Sequence, residues 1–526
     1  VILNTSSKVA KGARPATSAT TLKTETTQNA TSDFGRWLEY ATIFWIVVLA
    51  VSAPHSIAAT QIAWLCGMLC WVLRFTVRPR PQLYRTPVDY PLLGFFILTG
   101  LTAFLSYAPM VSIGKLRAAC LFTIAYLVSQ NISSRTIVRF LALALVVSTM
   151  VNVGFTISER AIGRGMKVSG LAENSPLFLA GIRDTDTLLE VNGQKLSTPD
   201  QLAAALAPLP DGVSPPAQVK LYRYEWIPIF KVPRGKLLPG TTALEQLGIA
   251  GWSSGRDWRA TGFFGHYTTY AEALQLIASL TLGLFLCLKR KRSLAGILLL
   301  IALAGIGISL ILTVTRGTWL AFLISALLMV LVTATRRMII MVALCALPLV
   351  LGGLFILHQK RNVGFFDQKD DSIRWRQTVQ REGLQLLLSK PRHWFVGVGM
   401  DSIKTYARRW GLFDKGRLPI GHMHSDYLQL ALERGVPALL LWMTLMFIYG
   451  RVLWQTWRRQ KITENDSDPG GWIDRGIILG SLGGLIGFCT SGVVHYNWGD
   501  SEVVMIFYFL MGLSLVVARQ TPAANN

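Results

Sequence analysis

The chain has 526 residues, 51% hydrophobic and only 15% charged, with a mean hydropathy of +0.41 and a formal net charge of +23. A soluble protein of this length carries more charge, so the composition excludes a soluble enzyme and predicts a polytopic membrane protein. The basic excess suits anionic lipid headgroups and phosphate-bearing substrates, and its division among separate loops excludes nucleic acid as a partner.

From the amino end, residues 1–35 are rich in Thr, Ser, Ala and Lys and read as a disordered cytoplasmic tail, not a signal peptide. Apolar runs then predict twelve spans, at about 37–53, 57–73, 89–106, 113–129, 137–158, 264–288, 293–312, 317–334, 338–357, 436–455, 475–494 and 501–518. They group as five spans in 36–158, four in 259–357 and three in 436–526. Alternate connections carry the basic residues: Arg74, Arg78, Arg80 and Arg85; Arg135 and Arg139; Lys289–Arg292; Arg336 and Arg337; Arg458, Arg459 and Lys461. The connections 54–56, 107–112 and 495–500 hold no Lys or Arg. By the positive-inside rule both termini are cytoplasmic, and the long loops 159–263 and 358–435 face outward together. Cys66, Cys70, Cys120, Cys287, Cys345 and Cys489 all lie in apolar runs, so neither a disulfide framework nor zinc spacing is read.

The first long loop carries an insertion, 159–258, with a domain of its own at about 163–236. Strand-like KVSGL precedes Ser175-Pro176, then Ala180-Gly181-Ile182, a turn and the strand TLLEVNG. Asn192-Gly193 marks a tight hairpin turn, Ser197-Thr198-Pro199-Asp200 a helix start, and QVKLYRYE a last strand from Gln218. This order resembles a bacterial PDZ domain, with Leu177 in place of Ala and Thr185-Asp186 in place of Gly-Asp. The resemblance implies a small α+β fold and a peptide or protein partner bound by strand addition. The competing reading is a spacer.

In the second long loop, 370–391 has the spacing of an amphipathic helix at the interface. The loop holds fourteen Lys/Arg against eight Asp/Glu, which suits a lipid-linked phosphate. It ends in GHMHSDYLQLALERG, with His422, His424, Asp426, Tyr427 and Glu433. His424 is the candidate general base, since an unperturbed imidazole titrates near neutrality. Helical spacing puts Tyr427 on its face. Arg316, at an outward junction in Thr315-Arg316-Gly317, suits a diphosphate held bidentately; snorkelling is the bland alternative. Arg259 and His266 flank the re-entry into the sixth span. Lys115 and Arg117 in the fourth span either line a polar cavity or reach the interface.

Three blocks, RATGFFGHYTTYAEAL (259–274), TRGTWLAFLIS (315–325) and GVGMDSIKTY with HMHSDYLQLALERG (397–435), occur in an order that resembles the O-antigen ligase and polymerase superfamily of bacterial membrane glycosyltransferases. The usual Ser-Arg-Gly is Thr315-Arg316-Gly317 here, and the Pro and Asn of the family's Gly-x-Phe-x-x-Pro-Asn element are missing after Gly262. The resemblance implies an all-α, GT-C-like fold of about twelve membrane helices in the bacterial inner membrane, with a periplasmic active site. It implies metal-independent, inverting transfer of a glycan from undecaprenyl diphosphate, without a cofactor, to lipid A–core in lipopolysaccharide assembly. Another glycan, as in a polymerase, or a protein side chain is the alternative acceptor. Arg316, Arg259 and Arg374 would clamp the diphosphate, His424 would take the acceptor proton, and Asp426 or Glu433 would orient it.

Two rival classes leave fewer traces. A metallopeptidase needs HExxH, which is absent; a serine type would pair Ser491 with His495. A transporter should show repeats or broken helices near the midplane.

Overall fold

The structure, a computed structural model, describes residues 33–209, 215–223, 227–333, 371–462 and 468–522, with scattered helical positions between 340 and 355. Among these residues ten helices are long and apolar enough to cross a membrane. The bundle begins with α1 (Asp33–Ser52), α2 (Ile57–Arg74), the shorter α3 (Asp89–Phe104), α4 (Pro109–Asn131) and α5 (Arg135–Ile162). The fourth span starts earlier than expected and is interrupted at Lys115 and by a 3-10 turn at Cys120–Phe122.

The insertion follows as strands β1 (Met166–Leu171), β2 (Thr187–Val191), β3 (Gln194–Lys195), β4 (Ala217–Tyr222), β5 (Ile229–Val232) and β6 (Ile249–Ser254), with helices α6 (Pro199–Leu206) and α7 (Ala243–Leu247). Strand order is β5-β4-β2-β1-β6, with β3 also on β2, and every pair is antiparallel. Asn192 and Gly193 both take positive φ in the β2–β3 turn, as a two-residue hairpin requires. Thr198 and Gln201 form a capping box at α6, with Pro199 in its first turn. The apolar faces close on Val168, Leu188, Leu202 and Leu221, a core separate from that of the bundle. The sheet runs past residue 236: β6 pairs with β1 from Met166↔Ser254 to Leu171↔Ile249.

The bundle resumes with α8 (Tyr267–Cys287), α9 (Leu294–Leu312) and α10 (Arg316–Thr333). After α11 (Asp371–Leu388) and α12 (Asp426–Arg434) come α13 (Val436–Ile462), α14 (Gly471–Ser491) and α15 (Ser501–Gln520). The ten long helices and α3 stand where eleven of the twelve spans were expected. The remaining one, about 338–357, and the tail before residue 33 fall mostly outside the described residues.

α8 is the axis of the bundle, 94% of its apolar window being buried. It crosses α14 with the two backbones in contact. A Cβ on Gly283 would lie 2.5 Å from the Gly476 carbonyl oxygen and 2.5 Å from the Gly480 nitrogen. Lipid supplies no hydrophobic drive between helices, so close backbone packing of small residues does the work.

The two ends of the bundle differ. At one, Arg139 pairs with Asp474 (2.7 Å), Arg74 with Glu39 (2.8 Å), and Arg519 donates to the Ser129 and Ile132 carbonyls. At the other, Asn152 donates to the Pro54 carbonyl and accepts from Phe263 N, and Tyr107 N donates to the Val398 carbonyl. The basic connections thus meet at one end, and both long loops meet at the other.

Candidate functional site

The segment before α12 presents two imidazoles together. Ser425 caps that helix, accepting from Leu428 N. His424 lies outside it with φ of 50°, a left-handed conformation that costs a non-glycine residue about 1–3 kcal/mol and collects at functional sites. Its ring meets Trp375 of α11 edge-on, centroids 4.4 Å apart, and its carbonyl accepts from Gln380 (3.1 Å). The His422 ring lies 4.2 Å from it and takes His424 N–H on Nδ1 (3.3 Å). That bond leaves His422 Nδ1 an acceptor and so deprotonated. Burial, then the nearby charges of Lys404, His495, His266 and Arg376, push the His422 pKa down to about 4. Burial, His422 and Arg376 carry His424 further below. Both rings are therefore neutral at neutral pH.

α11 is the expected amphipathic helix, but it does not lie alone at the interface. Val379 and Leu387 are buried with Val398, Phe413, Met423 and Leu432. This packing sets its phase. Arg374 is exposed at its start, whereas Arg376 bears electrostatically on both histidines. The arginine of α11 that bears on the imidazoles is thus Arg376, a helical position that spacing alone does not single out.

Arg259 and Arg316 come to one turn. Arg259 Nε donates to the Thr313 carbonyl (2.8 Å), its terminal nitrogen to the Val314 carbonyl, and its guanidinium lies 3.8 Å from the centroid of Tyr267. Val314 has φ of 52°, an outlier for a β-branched residue, and two residues later Arg316 opens α10. The Arg259 side chain holds that strained turn. His266 caps α8 with its ring stacked on Tyr267 (4.7 Å). Surrounding protein, then Arg259 and His495, lower its pKa.

The supporting residues have other duties than those expected. Glu433 accepts from Asp401 N (2.9 Å), Gln429 (2.8 Å), Arg434 (3.2 Å) and Tyr496 OH (3.4 Å). Asp426 accepts from Trp498 N (2.9 Å), while its own N–H donates to the Gly492 carbonyl (2.7 Å). Burial raises its pKa. Tyr427 points into the bundle, donating to the Cys489 carbonyl (2.9 Å). None of the three bonds to the His424 ring; they fasten α12 to the end of α14, to the loop before α15 and to the turn at Asp401. Lys115 pairs with Asp401 (2.9 Å), and Arg117 is exposed. In the insertion, Asp184 and Asp186 have the Asp-x-Asp spacing of a cation holder. Their oxygens instead accept from Leu171 N and from Arg183 N and Arg223.

Sequence reasoning missed Glu272. It is fully buried and gathers four partners: Thr318 (2.8 Å), Ser491, His495 Nδ1 (2.6 Å) and Asn497 (3.4 Å). It is the single charged residue of α8, and an ionisable group inside a span is a functional candidate by default. Gly317 lies against the pair: a Cβ there would stand 3.0 Å from His495 Cε1. Ser491 and His495 do meet at 3.3 Å, but both turn to the Glu272 carboxylate in a closed interior.

Residues 301–443 match the family described as O-antigen ligase. That stretch runs from within α9 into α13 and includes Arg316, Arg376, His422 and His424. A separate likeness, 40% identity over 52 residues, is to the magnetosome formation protease MamE of Magnetospirillum gryphiswaldense. It takes in 10% of this chain and 7% of that protein's length.

Proposed function

We propose that this chain, a member of the O-antigen ligase superfamily by its match over residues 301–443, transfers a glycan from undecaprenyl diphosphate to an acceptor hydroxyl. The acceptor we favour is lipid A–core in lipopolysaccharide assembly. In this reading the protein sits in the bacterial inner membrane, its basic end and both termini cytoplasmic, its two long loops periplasmic. The observation that carries the reading is one of charge and position. Two imidazoles kept neutral lie in the field of Arg376, His266 and His495, and His266 in turn feels Arg259, whose guanidinium holds the turn leading into Arg316.

The chemistry follows from that arrangement. The acceptor oxygen attacks the anomeric carbon, and its proton passes to His424. The bond from that carbon to the phosphate oxygen breaks on the opposite face, and the electron pair leaves with the diphosphate. Direct displacement inverts the carbon. Fixed guanidiniums stabilise the charge developing on the leaving group without reorganisation, and Arg376 takes the place first given to Arg374. Asp426 and Glu433 hold the frame.

Burial first, and then the charge of groups such as Arg376 around the site, makes His424 a weak base. A bound diphosphate brings negative charge into it and raises the imidazole pKa. The active form is the neutral one, so the rate falls as pH drops through that pKa. The acid limb of kcat, which reports the complex, is therefore expected at least about one pH unit above that of kcat/KM for the donor, which reports the free enzyme. Coincident limbs in the two pH profiles, or the reverse order, would rule out His424 as the donor-activated base.

A protein acceptor is the second reading, and one observation favours it. β6 pairs with β1 alone, so among the described residues its outer edge has no strand partner, and an extended peptide can add there. Arg164 N donates to the Gly255 carbonyl (2.8 Å), so residues 165–254 can be excised and the chain rejoined where its two strands already meet. The full and excised chains are reconstituted with one lipid-linked glycan, and lipid A–core, a glycan and a protein are offered in turn. Excision is expected to leave transfer to lipid A–core within about threefold. Loss confined to the protein acceptor would establish the second reading instead.

A further inference from the structure

Beside the histidines lies a cavity of about 220 Å³ that nothing above uses. It opens between α3, the interrupted part of α4, the turn at Asp401 and the start of α15. His422 forms part of its wall; Arg259, Arg316 and His266 do not. The opposite wall is aromatic. Phe95 meets Trp498 edge-on at 6.0 Å, and Trp498 meets Tyr508 at 5.7 Å. Flat apolar walls with a few convergent polar groups are the usual form of a small-molecule site, and a sugar ring offers a C–H face to the one and hydroxyls to the other.

The charges are unbalanced. Lys115 and Lys404 both converge on Asp401, at 2.9 and 2.8 Å, with their side chains 52% and 50% exposed. Burial pushes Asp401 up, but the two ammoniums outweigh it and hold its pKa below the ordinary value. One carboxylate thus neutralises one of two ammoniums. Arg434 and Glu433 pair with each other at 3.2 Å. Asp500, the other carboxyl on the wall, is pushed up to about 7 by burial and is partly protonated at neutral pH. The cavity therefore keeps a positive excess, at a rim where the two ammoniums still reach solvent.

We propose that this cavity is the acceptor subsite, and that it takes an anionic sugar whose phosphate or carboxylate is held by Lys115 and Lys404 while its ring lies on Phe95 and Trp498. The proposal rests on the glycosyl-transfer reading. His422 is shared between the cavity wall and the imidazole pair, and its ring is 4.2 Å from that of His424. A sugar seated there presents a hydroxyl beside the base, on a surface that the arginine turn does not form.

The full chain in nanodiscs, with no donor present, is titrated with glucose 6-phosphate, glucuronic acid and glucose. The K115A/K404A and K115R/K404R variants are treated alike. Both anions are expected to bind the unsubstituted chain at least tenfold more tightly than glucose; binding of the phosphate alone would support the proposal and fix the anion as a phosphate. The Ala pair should lose that preference, and the Arg pair should keep it. In transfer assays the Ala pair should raise the KM for an anionic acceptor about tenfold and leave the donor KM within twofold. Glucose binding as tightly as the anions, or a rise in the donor KM instead, overturns the proposal. Anion binding by a chain that transfers no glycan to any acceptor would overturn the transferase reading, and with it the acceptor role, and leave only an anionic-sugar site at Lys115 and Lys404. Normal transfer with an unchanged acceptor KM in the Ala pair would do the opposite.

Discussion

His424→Ala is expected to lower the rate of glycan transfer by about 10²–10⁴-fold, the usual worth of a general base, with the donor KM little changed. The guanidiniums that would hold the diphosphate belong to α10, α11 and the segment before α8, and the substitution leaves them in place. The loss should fall on kcat, because the proton moves only as the new bond forms. Stability should change little. The His424 side chain packs mainly against Trp375, edge-on, and against His422, at a tilt, and all three are only partly buried. His422→Ala makes the comparison sharp: it removes the neighbouring ring but not the proposed base, and should cost less. Single-turnover measurements with donor and acceptor pre-bound separate the chemical step from binding. Full activity in His424→Ala would end the mechanism proposed for this site.

Glu272→Ala should be the most damaging substitution to the fold and to the arginine turn together. It would take the shared acceptor from the Thr318 hydroxyl and leave Ser491 and His495 only each other (3.3 Å) in a closed interior, while the Asn497 amide keeps the Phe488 carbonyl (3.0 Å). Leaving a buried polar group without its partner costs about 1–3 kcal/mol, and losing this one shared acceptor does so at more than one position. The damage should spread to function. Thr318 and Gly317 follow Arg316 in α10, and His495 lies against Gly317. Glu272→Gln retains one carbonyl acceptor and should fall between. A thermal melt of the three proteins in the same detergent checks the order. An unchanged melting temperature for Glu272→Ala would show that the carboxylate does not hold this junction.

The expected duties of Asp426 and Glu433 illustrate where a linear reading of the site stops. Both stand within nine residues of His424, and proximity in sequence made them natural orienters. The N-terminus of α12 and the loop from Gly492 to Trp498 claim Asp426, and the turn at Asp401 claims Glu433, because buried carboxylates take the donors nearest in space. Arg376 is preferred to Arg374 for a related reason. Two positions along a helix turn a side chain by about 200°, and the burial of Val379 and Leu387 decided which arginine of α11 meets the imidazoles. β6 escaped notice because IAGWSS has little alternation and its partner β1 lies some eighty residues earlier.

Sequence alone determined the membrane class, the places of the eleven spans seen, the small α+β insertion with its Asn192-Gly193 turn and Thr198 cap, and the candidacy of His424, Arg316 and Arg259. Those features are local: hydropathy runs, basic connections, turn chemistry and short motifs all act over a few residues. Only the tertiary structure decided that Glu272 and His495, 223 positions apart, form one pair. It also decided that Arg376 faces the histidines and that Lys115 and Lys404 meet on Asp401. Each of these depends on helix phase and crossing. Those are set where backbones touch, as at Gly283 and Gly480, and by which buried polar group finds its partner across the bundle.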